Sequence, residues 1–309
     1  MHHATFTINP GEQQLSDSEI LPGEANKSFD CFTIPQSSLG AEPWHLNDPM
    51  TRQIVDKIQG ACESTLGGEG EFFQGIITGA DGVFVIKEAQ KEALSALSPY
   101  LRPWIKNSRI HPCLIDKNGL YLIYVRGNET DMSPELVDYL APHKERLSKR
   151  RECKTGSIPW YALQWPRKPE LFDGEKIIFP YKAEKNRFAV DEGGLYFSAD
   201  VYGFISGKTD AKALCVLLNS ACYNRYFKSY AKKLGGALYE YYPNTLKRLA
   251  IPEADASIYC ELAPYYDIIK TSNNADEAME SAEAIIAGYF GLSDAQKRHI
   301  GVNYAKKLF

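Results

Sequence analysis

The sequence predicts an α/β fold of the mixed α+β kind: a mixed sheet with flanking helices, closed by a helical C-terminal tail. Three observations predict it. Short β-rich runs, LYLIYV at 120–125 and KIIFPY at 176–181 foremost, are too brief for helices and read as strands, YLIYV the most clearly buried of them. Between such runs, segments at 49–66, 133–152 and 209–230 carry apolar residues at helical spacing. The tail at 255–309 is acidic and Ala-rich and reads as two or three helices.

Taken in chain order, 1–48 is rich in Pro, Gly, Ser and Glu with short apolar islands such as FDCFTIP, and reads as a connector to an upstream domain. The helix at 49–66 has Asp48 as its N-cap and is ended by Gly67, Gly68 and Gly70. GIITGADGVFVI at 75–86 places two β-rich runs around Ala-Asp-Gly and reads as strand, tight turn and strand. Residues 88–98 read as a short helix, and 101–115 as extended chain. The 133–152 segment has Ser133 at the N-cap and Pro134 at the first helical position. LYFSADVYGFI at 195–205 and LAIP at 249–252 read as strands. This ordering divides the chain into a connector at 1–48, a central domain at 49–253 and a helical extension at 254–309.

Of 309 residues 44% are hydrophobic and 24% charged, enough to build a sizeable core. No run of eighteen apolar residues and no secretory leader is present, and seven scattered cysteines without a CxxC pair argue against a zinc site and for a reduced, cytoplasmic protein. The net charge of −4 hides a strong segregation. Residues 100–250 hold 25 Lys+Arg against 16 Asp+Glu, a net +9, while the remainder holds 10 against 23, a net −13. A basic centre between acidic flanks suits a polyanionic partner on one face.

Two stretches interleave basic and aromatic residues in the manner of a nucleic-acid surface. In the first, Lys144, Arg146, Lys149, Arg150, Arg151 and Lys154 suit phosphate contacts, while Gln164, Arg167 and Lys168 suit base edges, because planar paired donors and acceptors match guanine and adenine. Trp160, Tyr161 and Trp165 would shape this loop or pack on sugars. The second runs through Arg225, Lys228, Lys232, Lys233 and Tyr239 around Gly235-Gly236, with Lys182, Lys185, Asn186 and Arg187 as a further basic turn. Gly75, Thr78 and Gly79 are structural candidates in the turn at 75–86.

In order along the chain, GIITGADGVFVI, LRPWIKNSRI, PELVDYLAPHKERLSKR, WYALQWPR, EKIIFPY, VLLNSACYNRYFKSYAKKLGG and TLKRLAIP together resemble the TaqI-like C-terminal specificity domain. The distal AIIAGYFGLSDAQKRHI is similar to the tail common after it. The resemblance covers roughly 70–300. It implies a mixed α/β fold that sets loops against double-stranded DNA. It also implies an adenine methyltransferase, in cis or in trans, that uses S-adenosylmethionine outside this chain.

Catalytic signatures are missing. An adenine methyltransferase needs an Asn-Pro-Pro-aromatic loop to hold the flipped base, and the chain offers only Asn9-Pro10-Gly11. PELFDGEKI at 169–177 mimics a nuclease metal site, but Glu175 adjoins Lys176 instead of standing two residues before it. The expectation is therefore target recognition with no catalytic residue, metal or cofactor of the chain's own. An acidic-partner protein module and an enzyme with unrecognised catalytic residues are the alternatives.

Overall fold

The run Lys176–Pro180 is buried along its whole length, and this organises the fold of the computed structural model. The residues described are 47–117, 119–127, 132–271 and 274–301, with the backbone of 2–8 and 29–35. Within 1–48, His2–Ile8 pairs antiparallel with Phe29–Pro35; the rest of the expected connector up to residue 46 lies outside the described residues.

Side chains alternate across a strand, so Ile177 and Phe179 enter one apolar core while Ile178 enters a second. The same sheet continues on both sides in the order Ala189–Asp191, Lys176–Pro180, Val201–Ser206 and Gly70–Gln74, antiparallel throughout. Phe72 and Phe204 join the first core, Phe73 and Val201 the second. Each such side chain contributes about 1.5–3 kcal/mol on burial, which is why Ile177, Ile178 and Phe179 are apolar on both faces, while Lys176 at the start of the run is buried against the Asp191 carboxylate.

Helices cover the first core. Ala211–Asn219 starts at Asp210, whose carboxylate accepts the Ala213 N–H at 2.8 Å, and it buries seven residues. Ser257–Thr271 and Ala275–Tyr289 pack beside it through Leu262, Tyr266, Ala282 and Ile286, so the acidic tail shares this core. Pro49–Gly60 adds Ile54 and Ile58, capped by Asp48 as its sequence indicates. The second core lies between the central sheet and a smaller one ordered Tyr196–Phe197, Leu101–Ile105, Leu120–Ile123 and Val85–Lys87, with the first pair parallel. Among the described residues, no helix is long and apolar enough to cross a membrane.

Several local expectations are corrected. The helix expected over 49–66 ends at Gly60, and Ser64–Thr65 pairs instead as a strand with Ala250–Ile251. The two runs of 75–86 do not pair with each other: Ile76 bridges Ser198, Ile77 bridges Trp165, and Val85–Lys87 pairs with Leu120–Ile123, with a helical turn at Asp81–Phe84 between. The 133–152 helix is broken into Pro134–Leu140, Lys144–Ser148 and Arg151–Lys154, with a 3-10 turn over Ala141–His143. Pro142 lacks the N–H that a continuous helix would use and its ring crowds the preceding turn. The 209–230 helix breaks at Ser220, which turns extended and caps Ala221–Lys228 by accepting the Tyr223 N–H at 3.1 Å. LYFSADVYGFI splits into Tyr196–Phe197 and Val201–Ser206, which belong to different sheets.

Candidate nucleic-acid interface

Gly75 to Asp81 crosses the point where three distant segments meet. A Cβ on Gly75 would lie 2.2 Å from the Ser198 carbonyl oxygen, so glycine alone lets the two backbones approach. Gly79 has φ +72°, and a Cβ there would meet the Gln164 Oε1 at 2.6 Å. Buried Thr78 fixes the turn: its Oγ1 donates to the Asp81 carboxylate at 2.5 Å and accepts the Ala80 N–H at 3.1 Å. Lys106 Nζ reaches the same carboxylate at 2.7 Å. Burial pushes the Asp81 carboxyl up, but hydrogen bonds from Lys106 and Thr78 and the Lys106 charge together hold it below its ordinary value.

Beside this turn opens a cleft of about 470 Å³ lined by Ile76–Asp81, Lys106, Arg146 and Ser198–Asp200. Lys106 is a cleft residue that sequence reasoning missed; its signal was its place in LRPWIKNSRI, between two strand-like runs. The first basic stretch divides around the cleft. Lys144, Arg146, Lys149, Arg151, Lys154 and Lys168 stand exposed. Lys144 lies over the Trp160 ring at 5.5 Å, and Lys149 pairs with Glu145 at 2.7 Å.

Arg150, Gln164 and Arg167 are turned inward instead. Arg150 donates to the carbonyls of Leu147, Thr78 and Trp160 at 2.9, 3.2 and 2.7 Å. Arg167 adopts φ +59° and donates to the Gly75 carbonyl at 3.3 Å and the Gln74 side chain at 3.0 Å. The Gln164 N–H donates to the Thr78 carbonyl at 3.3 Å, and its amide packs over Gly79.

The second basic stretch is gathered by a three-stranded sheet, Lys182–Ala183, Leu238–Glu240 and Lys233–Gly235. Lys182 pairs opposite Glu240, and Lys233 opposite Tyr239. Lys228 lies over the Tyr239 ring at 5.2 Å and Lys182 over the Tyr181 ring at 4.7 Å. Burial, with repulsion from Arg225, Lys185 and Lys233 against the pull of Glu184, lowers the Lys228 ammonium below the ordinary lysine value. Arg187, half-buried, is likewise lowered by burial, opposed by Tyr241 and Glu184. Arg225 donates to the His299 carbonyl at 3.1 Å, and Lys232 lies 3.9 Å from Glu240. Gly235 and Gly236 turn the exposed hairpin with positive φ. Asn186 is buried, its amide donating to the Leu218 carbonyl at 2.6 Å and accepting from the Tyr241 hydroxyl at 2.9 Å.

An aromatic strip joins the two stretches. Tyr242 stacks on Tyr181 at 6.3 Å and meets Tyr202 edge-on at 5.9 Å. Tyr181 donates its N–H to the carbonyl of Asp200, at the cleft. Burial raises the Tyr202 hydroxyl, as does Tyr242, while nearby Arg167 opposes the rise.

Residues 103–251, just under half of the chain, match the family described as the TaqI-like C-terminal specificity domain. The chain carries a specificity domain of this family. The domain spans the basic centre, from Pro103 in an inner strand of the smaller sheet to Ile251. Similar curated proteins are the type II methyltransferase M.BstVI of Geobacillus stearothermophilus, 21% identical over 76% of the chain, and the type II methyltransferase M.PaeR7I of Pseudomonas aeruginosa, 24% identical over 81%. The match spans 43% of the length of each. The fold is similar to those of two solved structures. The type IIG restriction endonuclease BpuSI has a TM-score of 0.57 at 12% identity, over 90% of this chain and 36% of that one. The type IIL restriction-modification enzyme MmeI, solved in complex with DNA, has a TM-score of 0.50 at 13% identity, over 78% and 36%. The specificity-domain match and the methyltransferase relatives support a specificity module of the restriction-modification class.

Proposed function

We propose that the chain recognises a specific double-stranded DNA sequence and directs an adenine-N6 methyltransferase domain, in cis or in trans, to it. The observation that carries this reading is the specificity-domain match over 103–251, the span that also holds the chain's basic excess. The exposed cations Lys144, Arg146, Lys149, Arg151, Lys154 and Lys168, with Lys182, Lys185, Lys228, Lys232 and Lys233, contact phosphates and set register. Lys106 and Arg146 hold a phosphate over the cleft. Arg150, Gln164 and Arg167 shape the turn that presents Gly79. Arg187, Arg225 and Tyr239 support the hairpin side.

S-adenosylmethionine, in this proposal, belongs to the methyltransferase domain, and the setting is cytoplasmic. The 1–48 segment serves as the connector, 49–253 as the recognition domain and 254–309 as its helical extension.

Selection of bound duplexes from a random pool, followed by gel shifts across salt, tests the proposal. One short sequence should be enriched, and affinity should fall steeply with salt, with a logarithmic slope of about −0.9 per phosphate contacted. Enrichment of no sequence, or salt-insensitive binding, refutes it and favours an acidic protein partner.

A further inference from the structure

One indole stands out of the described surface. Trp165 is 48% exposed, more than any other large hydrophobic side chain described. Its backbone is nonetheless held on all sides. The Trp165 N–H donates to the Ile77 carbonyl at 2.8 Å, and the Ile77 N–H donates back at 3.2 Å. Two residues earlier, Leu163 is buried and donates its N–H to the Val125 carbonyl at 2.9 Å. Pro166 follows with a ring-fixed φ. Arg167 then anchors the chain through Gly75, Gln74 and the Tyr124 hydroxyl, which donates to its carbonyl at 2.9 Å.

Such a ring is costly to expose and costs little to bind, since its carrier is already ordered. Its surroundings name the partner. Ile77, to which it is bonded, lines the cleft with Lys106 and Arg146, and exposed Lys168 lies three residues on. A planar apolar group near cations complements an opened step of a duplex, where unstacking exposes a base face between flanking phosphates.

We infer that Trp165 stacks on a nucleobase at an opened step of the target duplex and thereby sets the register of recognition. The inference rests on the DNA-recognition reading above. Apolar side chains wedge between base steps in this way and partly unstack them. Because every base has a π-face, the indole supplies position and binding strength, while sequence is read by neighbouring polar groups.

The test uses the full chain and the duplex that selection enriches, with 2-aminopurine placed at each position in turn. Wild type should change the fluorescence of the probe at one step and leave the other positions unchanged. W165A should abolish that change and bind about tenfold more weakly, the loss expected of one base–aromatic stack, with its salt slope unaltered. W165F, which keeps a ring, should retain part of both, and the indole emission quenched by DNA in wild type should fall away in it. A selected site at which W165A binds within about twofold of wild type with the same probe response overturns the inference and leaves recognition standing; Trp165 would then face a protein. Failure to select any sequence removes the recognition reading and the inference with it.

Discussion

Replacing Arg150 with alanine separates a phosphate clamp from an internal tie. Its guanidinium donates to three carbonyls, of Leu147, Thr78 and Trp160, and lies 5.8 Å over the Phe84 ring. A hydrogen bond from a charged donor contributes about 1.5–3 kcal/mol net when shielded. Arg150 is only half-buried, so solvent screening reduces each, and R150A should lose about 3–4 kcal/mol in all. R150K should recover less than half of that, because one ammonium cannot span three carbonyls set in a fork. Urea unfolding gives the stability, and gel shifts at several salt concentrations give the slope for the folded protein. The expected result is a lower urea midpoint with an unchanged slope. A stability change under about 0.5 kcal/mol together with a slope reduced by about one would refute the reasoning, since a phosphate contact loses charge neutralisation and little else.

Three further outcomes follow from the same geometry. G79A should cost about 1–2 kcal/mol for the left-handed backbone and more for displacing the Gln164 amide 2.6 Å from the new Cβ; sequence-specific affinity should suffer more than non-specific affinity, read by competition with unrelated duplex. The double change K232A/K233A removes two exposed cations of the hairpin, so the salt slope should fall by nearly two with Tm unchanged; an unchanged slope places the hairpin away from DNA. Glu283 is buried beneath Ala221–Lys228, and burial pushes its carboxyl from 4.5 up to about 7, against the Ala221 N–H that it accepts. The folded state thus keeps a proton that the unfolded chain releases. Stability is lost as pH rises from 4.5 to about 7, by about 3 kcal/mol at the plateau. E283Q should therefore gain on wild type across that window and hold its advantage above it, whereas a urea-midpoint difference that stays flat with pH would contradict this.

Much of the candidate surface was legible in composition, because lysines and arginines crowd the centre of the chain whatever the fold. The central strands and the Asp48 and Ser133 caps were legible too, since alternation, apolar runs and capping side chains act over a few residues. The helix break at Pro142 could have been read from its missing N–H. That at Ser220 could not, because the segment on either side of it, AKALCVLLN and ACYNRYFK, has helical periodicity. Asn219 and Ser220 carry no local signal of a break in VLLNSACYNR. Their work is long-range: the Asn219 amide accepts the Phe188 N–H at 2.9 Å and donates to the Phe188 carbonyl at 2.8 Å, docking the strand side onto the helix.

The apparent hairpin at 75–86 shows the same limit. Both runs have strand propensity, but their partners are Ser198 and Trp165 for one and Leu120–Ile123 for the other. Propensity names a strand and leaves its neighbour open.

By itself the sequence determined which segments are amphipathic, where positive charge accumulates and which catalytic loops it does not spell out. Only the tertiary structure decided which cations look outward and which are spent inside. Arg146 and Arg150 are four residues apart and chemically identical, yet one lines an open cleft and the other bonds Thr78, 72 residues away. The reason is physical: charge is a property of a residue, whereas the carbonyl that satisfies it is delivered by chain that folds back from elsewhere.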